Sequence, residues 1–411
     1  MKLDIVIFAS ELHDNSKIFN ERGCLLDGLR SFSDVNIINS SDYALKSDKN
    51  SITILFIATG GTEEKFLQLY PQLNTPIIIL SDGYSNSLAA SFEISTWLEN
   101  KGVDYTFINV PVNPTDVFFN GLKEQLLKIE YKKSFANKLN GKKIGLLGGE
   151  SSWLIASKID KNSVEKEYGV QFVEIKIEEL NELYKNYREE KYDCVESDVL
   201  FAKFKNNLGD GREEKDLKEA IVLYYALRDI SKKYLLDAVT VKCFDLLVSC
   251  KVTACLAMAI LNDTQIVAGC EGDIPTVFSQ LVAKVALDKC GFIANPSSAD
   301  KENLTVDFSH CTIPLSMIDT FSLPTHFESN ISIGVRGNLP LGEYSIIKFG
   351  GSKLNKLFIT TGELIECPYI EQRCRTQVKF KFKNIDEFNS FMNNRLGNHI
   401  VIVKGKINFN V

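Results

Sequence analysis

Two carboxylates follow a short apolar run near the middle of the chain, within the segment Val267–Pro275. Glu271 and Asp273 stand between a predicted strand that ends at Ala268 and a predicted helix. In open α/β sheets, ligands bind at the carboxyl ends of the strands. Asp273 has a simpler explanation, because an Asp before a proline in the first helical turn is a usual helix cap.

Glu271 has no capping role at its position, and the residues around it are expected to be buried. Burying a carboxylate without a partner is energetically costly. A metal ion, an arginine or a proton is therefore expected beside it. A structural ion pair is the alternative, since perturbed carboxylates mark functional sites only in some cases.

The chain has four histidines, and two of them lie at predicted strand ends. His310 ends a strand and His399 begins the apolar run Ile400–Val403, so each side chain can face a cleft. Each is equally consistent with a hydrogen-bonded histidine of the core. His13 and His326 lie in polar loops, and we expect both to be ordinary surface residues.

Glutamate and histidine side chains from separate segments favour a divalent cation such as Mn²⁺ over a thiolate zinc site. The ten cysteines are scattered singly, with no CxxC pair. Cys270 and Cys311 flank the candidate ligands without zinc spacing, so we do not interpret them as ligands. Reduced core thiols are the favoured interpretation, and they fit a cytoplasmic location.

Two glycine-rich turns follow predicted strands, at Thr59–Thr62 and Gly145–Gly149. Neither matches the dinucleotide fingerprint or the phosphate loop, which favours tight strand-to-helix turns. Trp153 lies just past the second turn, where its aromatic face could stack on a sugar and bind substrate. A packing anchor is the alternative for a single tryptophan.

Composition limits the class of protein. With 411 residues, of which 45% are hydrophobic, the chain is long enough for two or three domains. A formal net charge of −6 without long runs of like charge argues against a nucleic-acid binder. The N-terminal run predicts a strand and not a secretion signal, and no run approaches the roughly 18 apolar residues of a membrane span. We expect a small-molecule ligand or a protein partner.

Residues 1–140 alternate β-branched runs with amphipathic segments, which is typical of a flavodoxin-like parallel sheet. The predicted strands are Leu3–Phe8, Val35–Ile38, Ile52–Ala58, Pro76–Leu80 and Tyr105–Val110. Glu63–Tyr70 and Asn86–Asn100 have helical spacing, and Thr115–Asn140 is predicted to be a linking helix.

The strand and helix pattern restarts at Lys143 and predicts a second α/β domain over residues 141–290. Its later elements are the predicted strands Gln171–Ile175, Ala238–Lys242 and Gln265–Ala268 and the predicted helices Glu213–Leu235 and Ile274–Cys290. Residues 291–411 are predicted to be β-rich, as a small barrel or sandwich. The strands there are Val306–His310, Ile331–Val335, Tyr344–Phe349, Leu357–Thr361 and Gln377–Phe382.

The order of several segments resembles the L-fucose and L-arabinose isomerase superfamily, especially its shorter fucose-isomerase-like members. The similar segments are Thr59–Glu63, Ser87–Ile94, Ser151–Ile155, Cys270–Asp273, His310–Pro314 and Gly397–His399. No single segment is highly specific, whereas their order is. The resemblance implies an α/β fold with two Rossmann-like parallel-sheet domains, then a β-rich, barrel-like domain, and a Mn²⁺ site between the second and third.

The resemblance also implies roles for individual residues. Glu271 matches the first acidic ligand, which doubles as an acid/base group, and His399 matches the C-terminal histidine ligand. His310 looks like the further histidine ligand of arabinose isomerases. Asn295 stands where the family has a second acidic ligand. An amide oxygen can coordinate a hard cation, but it cannot exchange a proton.

The implied activity is the conversion of a fucose-like or arabinose-like aldose to its ketose through an enediol. Because Asn295 cannot exchange a proton, the second catalytic group is then Asp273, Asp300 or Asp307, or the chemistry is altered or lost. A sugar-binding homologue without catalysis is therefore the alternative. The family is oligomeric, which implies a homotrimer or hexamer.

Overall fold

The structure is a computed structural model that describes residues 2–13, 15–32, 34–47, 51–73, 76–103, 105–190, 195–209, 211–393 and 396–407. The chain divides into two compact units, one ending at Ser134 and the other beginning at Phe135. This boundary lies inside the predicted linking helix. A further domain boundary at residue 290 stays a prediction. In the described residues, no helix combines the length and the apolar composition needed to cross a membrane.

The first unit is built on a parallel sheet, as predicted. Within its described part, the strands are β1 (Lys2–Phe8), β2 (Asp34–Asn39), β3 (Ile52–Ile57), β4 (Ile77–Ser81) and β5 (Tyr105–Asn109), in the order β2-β1-β3-β4-β5. The helices are α1 (Asn15–Glu21), α2 (Gly23–Arg30), α3 (Tyr43–Lys46), α4 (Glu63–Leu69), α5 (Ser87–Asn100) and α6 (Asp116–Leu139), the last of which continues into the second unit.

Strand β3 shows why these runs are almost entirely apolar. Ile54 and Phe56 contribute to one hydrophobic core, whereas Leu55 and Ile57 contribute to a second one. Alternate side chains of a strand point to opposite faces, so a strand with both faces covered needs apolar residues throughout.

The second unit begins with another parallel sheet. In its described residues the strands are β6 (Lys143–Leu147), β7 (Gln171–Ile175), β8 (Ala238–Val241) and β9 (Val267–Gly269), in the order β7-β6-β8-β9. The helices are α7 (Lys161–Tyr168), α8 (Ile177–Glu190), α9 (Val195–Phe204), α10 (Glu214–Lys233), α11 (Cys243–Cys250), α12 (Cys255–Asn262) and α13 (Ile274–Leu287). The predicted restart at Lys143 is confirmed.

The rest of the second unit is β-rich and antiparallel. The strands are β10 (Phe292–Asp300), β11 (Thr305–His310), β12 (Thr320–Ser322), β13 (Arg336–Asn338), β14 (Gly342–Gly350), β15 (Lys356–Glu366), β16 (Thr376–Lys381) and β17 (Ile400–Lys404), and helix α14 (Ile385–Asn393) precedes the last strand. Pairing runs β10-β11-β16-β15-β14-β17 and returns to β10, so the sheet closes on itself.

One predicted strand of this region is wrong. Ile331–Val335 is an irregular segment, and the short strand β13 begins only after it. Ser332 has a φ of +52°, which interrupts an extended chain. The hydroxyl of Thr253 donates to the carbonyl of Ile333 at 2.6 Å. A side chain thus provides the hydrogen bond that a neighbouring strand would otherwise supply.

Candidate metal centre

The loop after β9 carries Glu271 in an unusual backbone conformation. Glu271 and Gly272 have φ values of +63° and +62°. A Cβ atom at Gly272 would lie 2.6 Å from the carbonyl oxygen of Gly149, so only glycine fits there. The hydroxyl of Ser151 donates to the carbonyl of Glu271. Neighbouring backbone therefore holds this loop in place.

The turn Gly145–Gly149 is not the strand-to-helix turn that the sequence predicts. No helix follows it directly, because the next helix of the described chain, α7, begins only at Lys161. Gly148 and Gly149 both have positive φ, and the turn packs instead against the loop that presents Glu271. The turn Thr59–Thr62, by contrast, does lead from β3 into α4 as predicted.

Three of the predicted site residues converge. Glu271, His310 and His399 offer ligand atoms that all lie within 4.8 Å of one another. Oε1 of Glu271 is 3.8 Å from Nε2 of His310 and 3.7 Å from Nε2 of His399. His310 ends β11 and His399 immediately precedes β17, so three separate elements present the cluster.

Asp273 lies behind this cluster. Its side chain accepts a hydrogen bond from the backbone N–H of Thr276, which confirms the predicted helix cap of α13. The Oδ2 atom of Asp273 is also 2.8 Å from Nδ1 of His399. A carboxylate bound to one ring nitrogen fixes the ring and directs the other nitrogen toward a metal. The fully buried Lys348, whose Nζ is 3.8 Å from Oδ2, adds a positive charge.

The electrostatics of the cluster follow from these contacts. Burial opposes ionisation of Glu271, but the nearby rings of His399 and His310 favour its carboxylate and lower its pKa to about 2. Burial likewise disfavours charge on His399, yet Asp273 and Glu271 raise the pKa of His399 to about 9. His310 lacks such support, so burial, together with repulsion from His399, lowers its pKa to about 3.

The cluster fits a divalent cation. Two donors each about 2.1 Å from one ion can be at most about 4.2 Å apart. Oε1 of Glu271 lies 3.8 Å from Nε2 of His310 and 3.7 Å from Nε2 of His399, within that limit. Nε2 of His399 is buried and has no hydrogen-bond partner in the described protein. One carboxylate and two imidazoles suit several divalent cations, among them Mn²⁺, Fe²⁺ and Zn²⁺. Neither Cys270 nor Cys311 belongs to the cluster.

Asn295 lies on the strand between those that carry the histidines. In β10, Asn295 pairs with Ser309 of β11, the neighbour of His310, and the preceding Ala294 pairs with Ile400 of β17, the neighbour of His399. The buried Oδ1 atom of Asn295 has no hydrogen-bond partner among the described residues. Such an oxygen is a candidate further ligand.

The other predicted acid/base candidates have structural partners. Asp300 is exposed and accepts hydrogen bonds from its own turn at Glu302 and Asn303. Asp307 pairs with Arg373 at 2.7 Å. Neither belongs to the cluster with Glu271.

Trp153 and Phe244 form an aromatic pair in this region. Trp153 is 45% exposed, and its ring packs edge-to-face against that of Phe244 with the centroids 5.3 Å apart. The nearby Trp153 also helps to lower the pKa of Glu271. The indole therefore keeps part of its surface free for a ligand.

His326 is not the ordinary surface residue predicted from the sequence, whereas His13 is exposed as expected. The ring of His326 is partly buried, lies 6.3 Å from that of Phe244, and has Nδ1 3.0 Å from the hydroxyl of Ser329. The sequence offers one indication of a functional role for His326. Histidine is scarce in this chain, and this one stands in a loop, where functional residues are frequent.

Replacing Asp273 by Asn is expected to weaken Mn²⁺ binding about 10- to 100-fold. Asn caps helices about as well as Asp, so the start of α13 is retained while the charge behind His399 is lost. Titration calorimetry with MnCl₂ measures the effect. Asp160→Asn is the matched control, because Asp160 also caps a helix, α7, at an exposed position outside the cluster. Equal affinities of the two variants would contradict the role of Asp273.

Comparison with known proteins gives no family assignment. The sequence matches no protein-family model, and no curated protein sequence is significantly similar to it.

Proposed function

We propose that this chain is a metal-dependent aldose–ketose isomerase that acts on a fucose-like or arabinose-like sugar through an enediol. The observation that carries the proposal is the convergence of Glu271, His310 and His399 from three separate elements. Membership of the L-fucose/L-arabinose isomerase superfamily belongs to the same proposal. So do the Rossmann-like character of the parallel sheets, the barrel-like character of the closed sheet, a cytoplasmic location and a homotrimer or hexamer.

The residues that would hold the cation are Glu271, His310 and His399, with Oδ1 of Asn295 as a further oxygen donor. We propose Mn²⁺ as the ion, and Fe²⁺ suits the same donors. When bound, such a cation stabilises the negative charge that develops on the sugar oxygens.

Glu271 is the group proposed to move the carbon-bound proton. With its pKa at about 2, the side chain is a carboxylate at neutral pH and can accept a proton. It takes the hydrogen of C2 as a proton and returns it to C1, while the proton of the O2 hydroxyl is transferred to O1. The product is the ketose, with no net oxidation and no atom lost. Trp153 is proposed to stack on the sugar ring.

The proposal is tested with purified protein, MnCl₂ and a panel of aldoses that includes L-fucose and L-arabinose. Ketose formation, followed by NMR, is expected with at least one sugar. Activity should be lost with EDTA and restored by added Mn²⁺. Failure of every sugar to react while calorimetry shows bound Mn²⁺ would refute catalysis.

A sugar-binding homologue without catalysis is the second candidate, and Asn295 is the observation that favours it. An amide in place of the expected carboxylate keeps an oxygen donor but removes a proton-transfer group. This candidate predicts that a sugar raises the melting temperature without turnover. Asn295→Asp should then also be inactive, whereas robust turnover by the parent protein would eliminate the candidate.

A further inference from the structure

Isomerisation through an enediol has two proton transfers, one between carbons and one between oxygens. Glu271 can perform the first, but Asn295 cannot perform the second, and Asp300 and Asp307 are engaged elsewhere. Asp273 already binds His399 and caps α13. The proposed function, on which this inference rests, therefore leaves the second transfer to another group near the cluster.

His326 lies in a loop that is anchored beside His310. The backbone N–H of Val335 donates to the carbonyl of Cys311 at 2.9 Å, and Cys311 directly follows His310. The backbone N–H of Gly334 donates to the carbonyl of Pro324 at 2.8 Å, and this hydrogen bond closes the base of the loop. The loop that presents His326 is thus fixed to the end of β11.

An aromatic row connects His326 to Trp153. The ring of Phe244 lies 5.3 Å from that of Trp153 and 6.3 Å from that of His326. Ser151, two residues before Trp153, donates a hydrogen bond to the carbonyl of Glu271. The charge of Glu271 also acts to raise the pKa of His326, against the larger effect of burial.

The hydrogen bond of His326 orients its ring. Nδ1 is 3.0 Å from the hydroxyl of Ser329, which leaves Nε2 available for a sugar hydroxyl. Burial, against the opposing charge of Glu271, lowers the pKa of His326 below its usual value, so the neutral ring is the main form at pH 7. A neutral imidazole can accept a proton and then return it.

We propose that His326 is the second proton-transfer group of the site and carries the O2 hydroxyl proton to O1. Nε2 accepts the proton as the O2–H bond breaks, and the imidazolium then donates it to O1. Glu271 meanwhile transfers the C2 proton to C1. Every proton taken up is returned, so the enzyme ends in its starting state.

The test compares His326→Gln and His326→Ala with the parent protein, all loaded with Mn²⁺ and given the aldose that the parent converts best. We expect kcat to fall about 10²- to 10⁴-fold in both variants, with KM changed only a few-fold. Mn²⁺ affinity and melting temperature are expected to stay at the parent's values. Added imidazole should restore activity to His326→Ala in proportion to its concentration, because it replaces the missing proton carrier.

His13→Gln is the matched control, since that histidine is exposed. Activity of His326→Gln within tenfold of the parent would overturn the proposal. So would a loss of activity accompanied by loss of Mn²⁺ binding, or one that imidazole does not reverse. If His326→Ala misfolds, the kinetics and Mn²⁺ affinity of His326→Gln alone test the proposed role of His326. An inactive parent protein that still binds Mn²⁺ would instead refute the proposed isomerase function, and with it this role of His326.

Discussion

Replacing Glu271 by Gln is expected to lower kcat by about 10³-fold or more. The amide has nearly the same shape as the carboxylate, but it cannot accept the C2 proton, and such proton transfers contribute about 10²- to 10⁴-fold to rates. The variant also loses the negative charge that stands between His310 and His399. The measurement is kcat and KM for the best aldose at saturating Mn²⁺.

Glu343→Gln is a suitable control for this variant, because Glu343 is an exposed glutamate of β14. Its kinetics should equal those of the parent protein. Glu271→Gln should retain its fold, which the near-ultraviolet circular dichroism spectrum can verify. Parent-like turnover by Glu271→Gln would exclude Glu271 as the base and would leave the cluster as a structural or ligand-binding feature.

Mn²⁺ affinity is expected to rise about tenfold per pH unit as the pH increases toward 9. In the metal-free site the pKa of His399 is raised to about 9, so its ring carries a proton at neutral pH. A cation needs the lone pair of Nε2 and must displace one proton, and one proton released gives a tenfold dependence per pH unit. His310 adds no such dependence, because with a pKa of about 3 it is already neutral.

Calorimetry in two buffers of different ionisation enthalpy measures the protons released on binding. We expect a value near one at pH 7 for the parent protein. His310→Gln should bind more weakly but still release a proton, whereas His399→Gln should bind weakly without release. An affinity that does not change between pH 6 and pH 8 would contradict the protonated state of His399.

The predictions from sequence succeeded where local pattern decides the structure. Apolar runs such as that of β3 predicted the strands of the parallel sheets, because a strand that is covered on both faces is apolar at nearly every position. The cap at Asp273 depends on nearby residues of its own helix. Glu271, His310 and His399 were selected because each stands at a strand end, and the structure brings the three together.

The features that the sequence did not reveal depend on distant contacts. The segment Ile331–Val335 has the composition of a strand, but the hydroxyl of Thr253 bonds to its backbone. The hydrogen bond of Asp273 to His399 spans 126 positions and has no local signature. The position of His326 beside Phe244 likewise follows from the tertiary fold.

The residues of the metal cluster lie far apart in the sequence, and this separation affects how the site forms during folding. The chain between Asp273 and His399 spans 126 positions, and bringing its ends together costs conformational entropy. The complete set of metal donors therefore exists only after the last strand has packed against the rest of the sheet. A cation that binds all of these donors binds the fully folded protein in preference to partly folded states, and it stabilises the folded state by mass action. Added manganese should therefore slow unfolding while leaving early collapse during refolding unchanged.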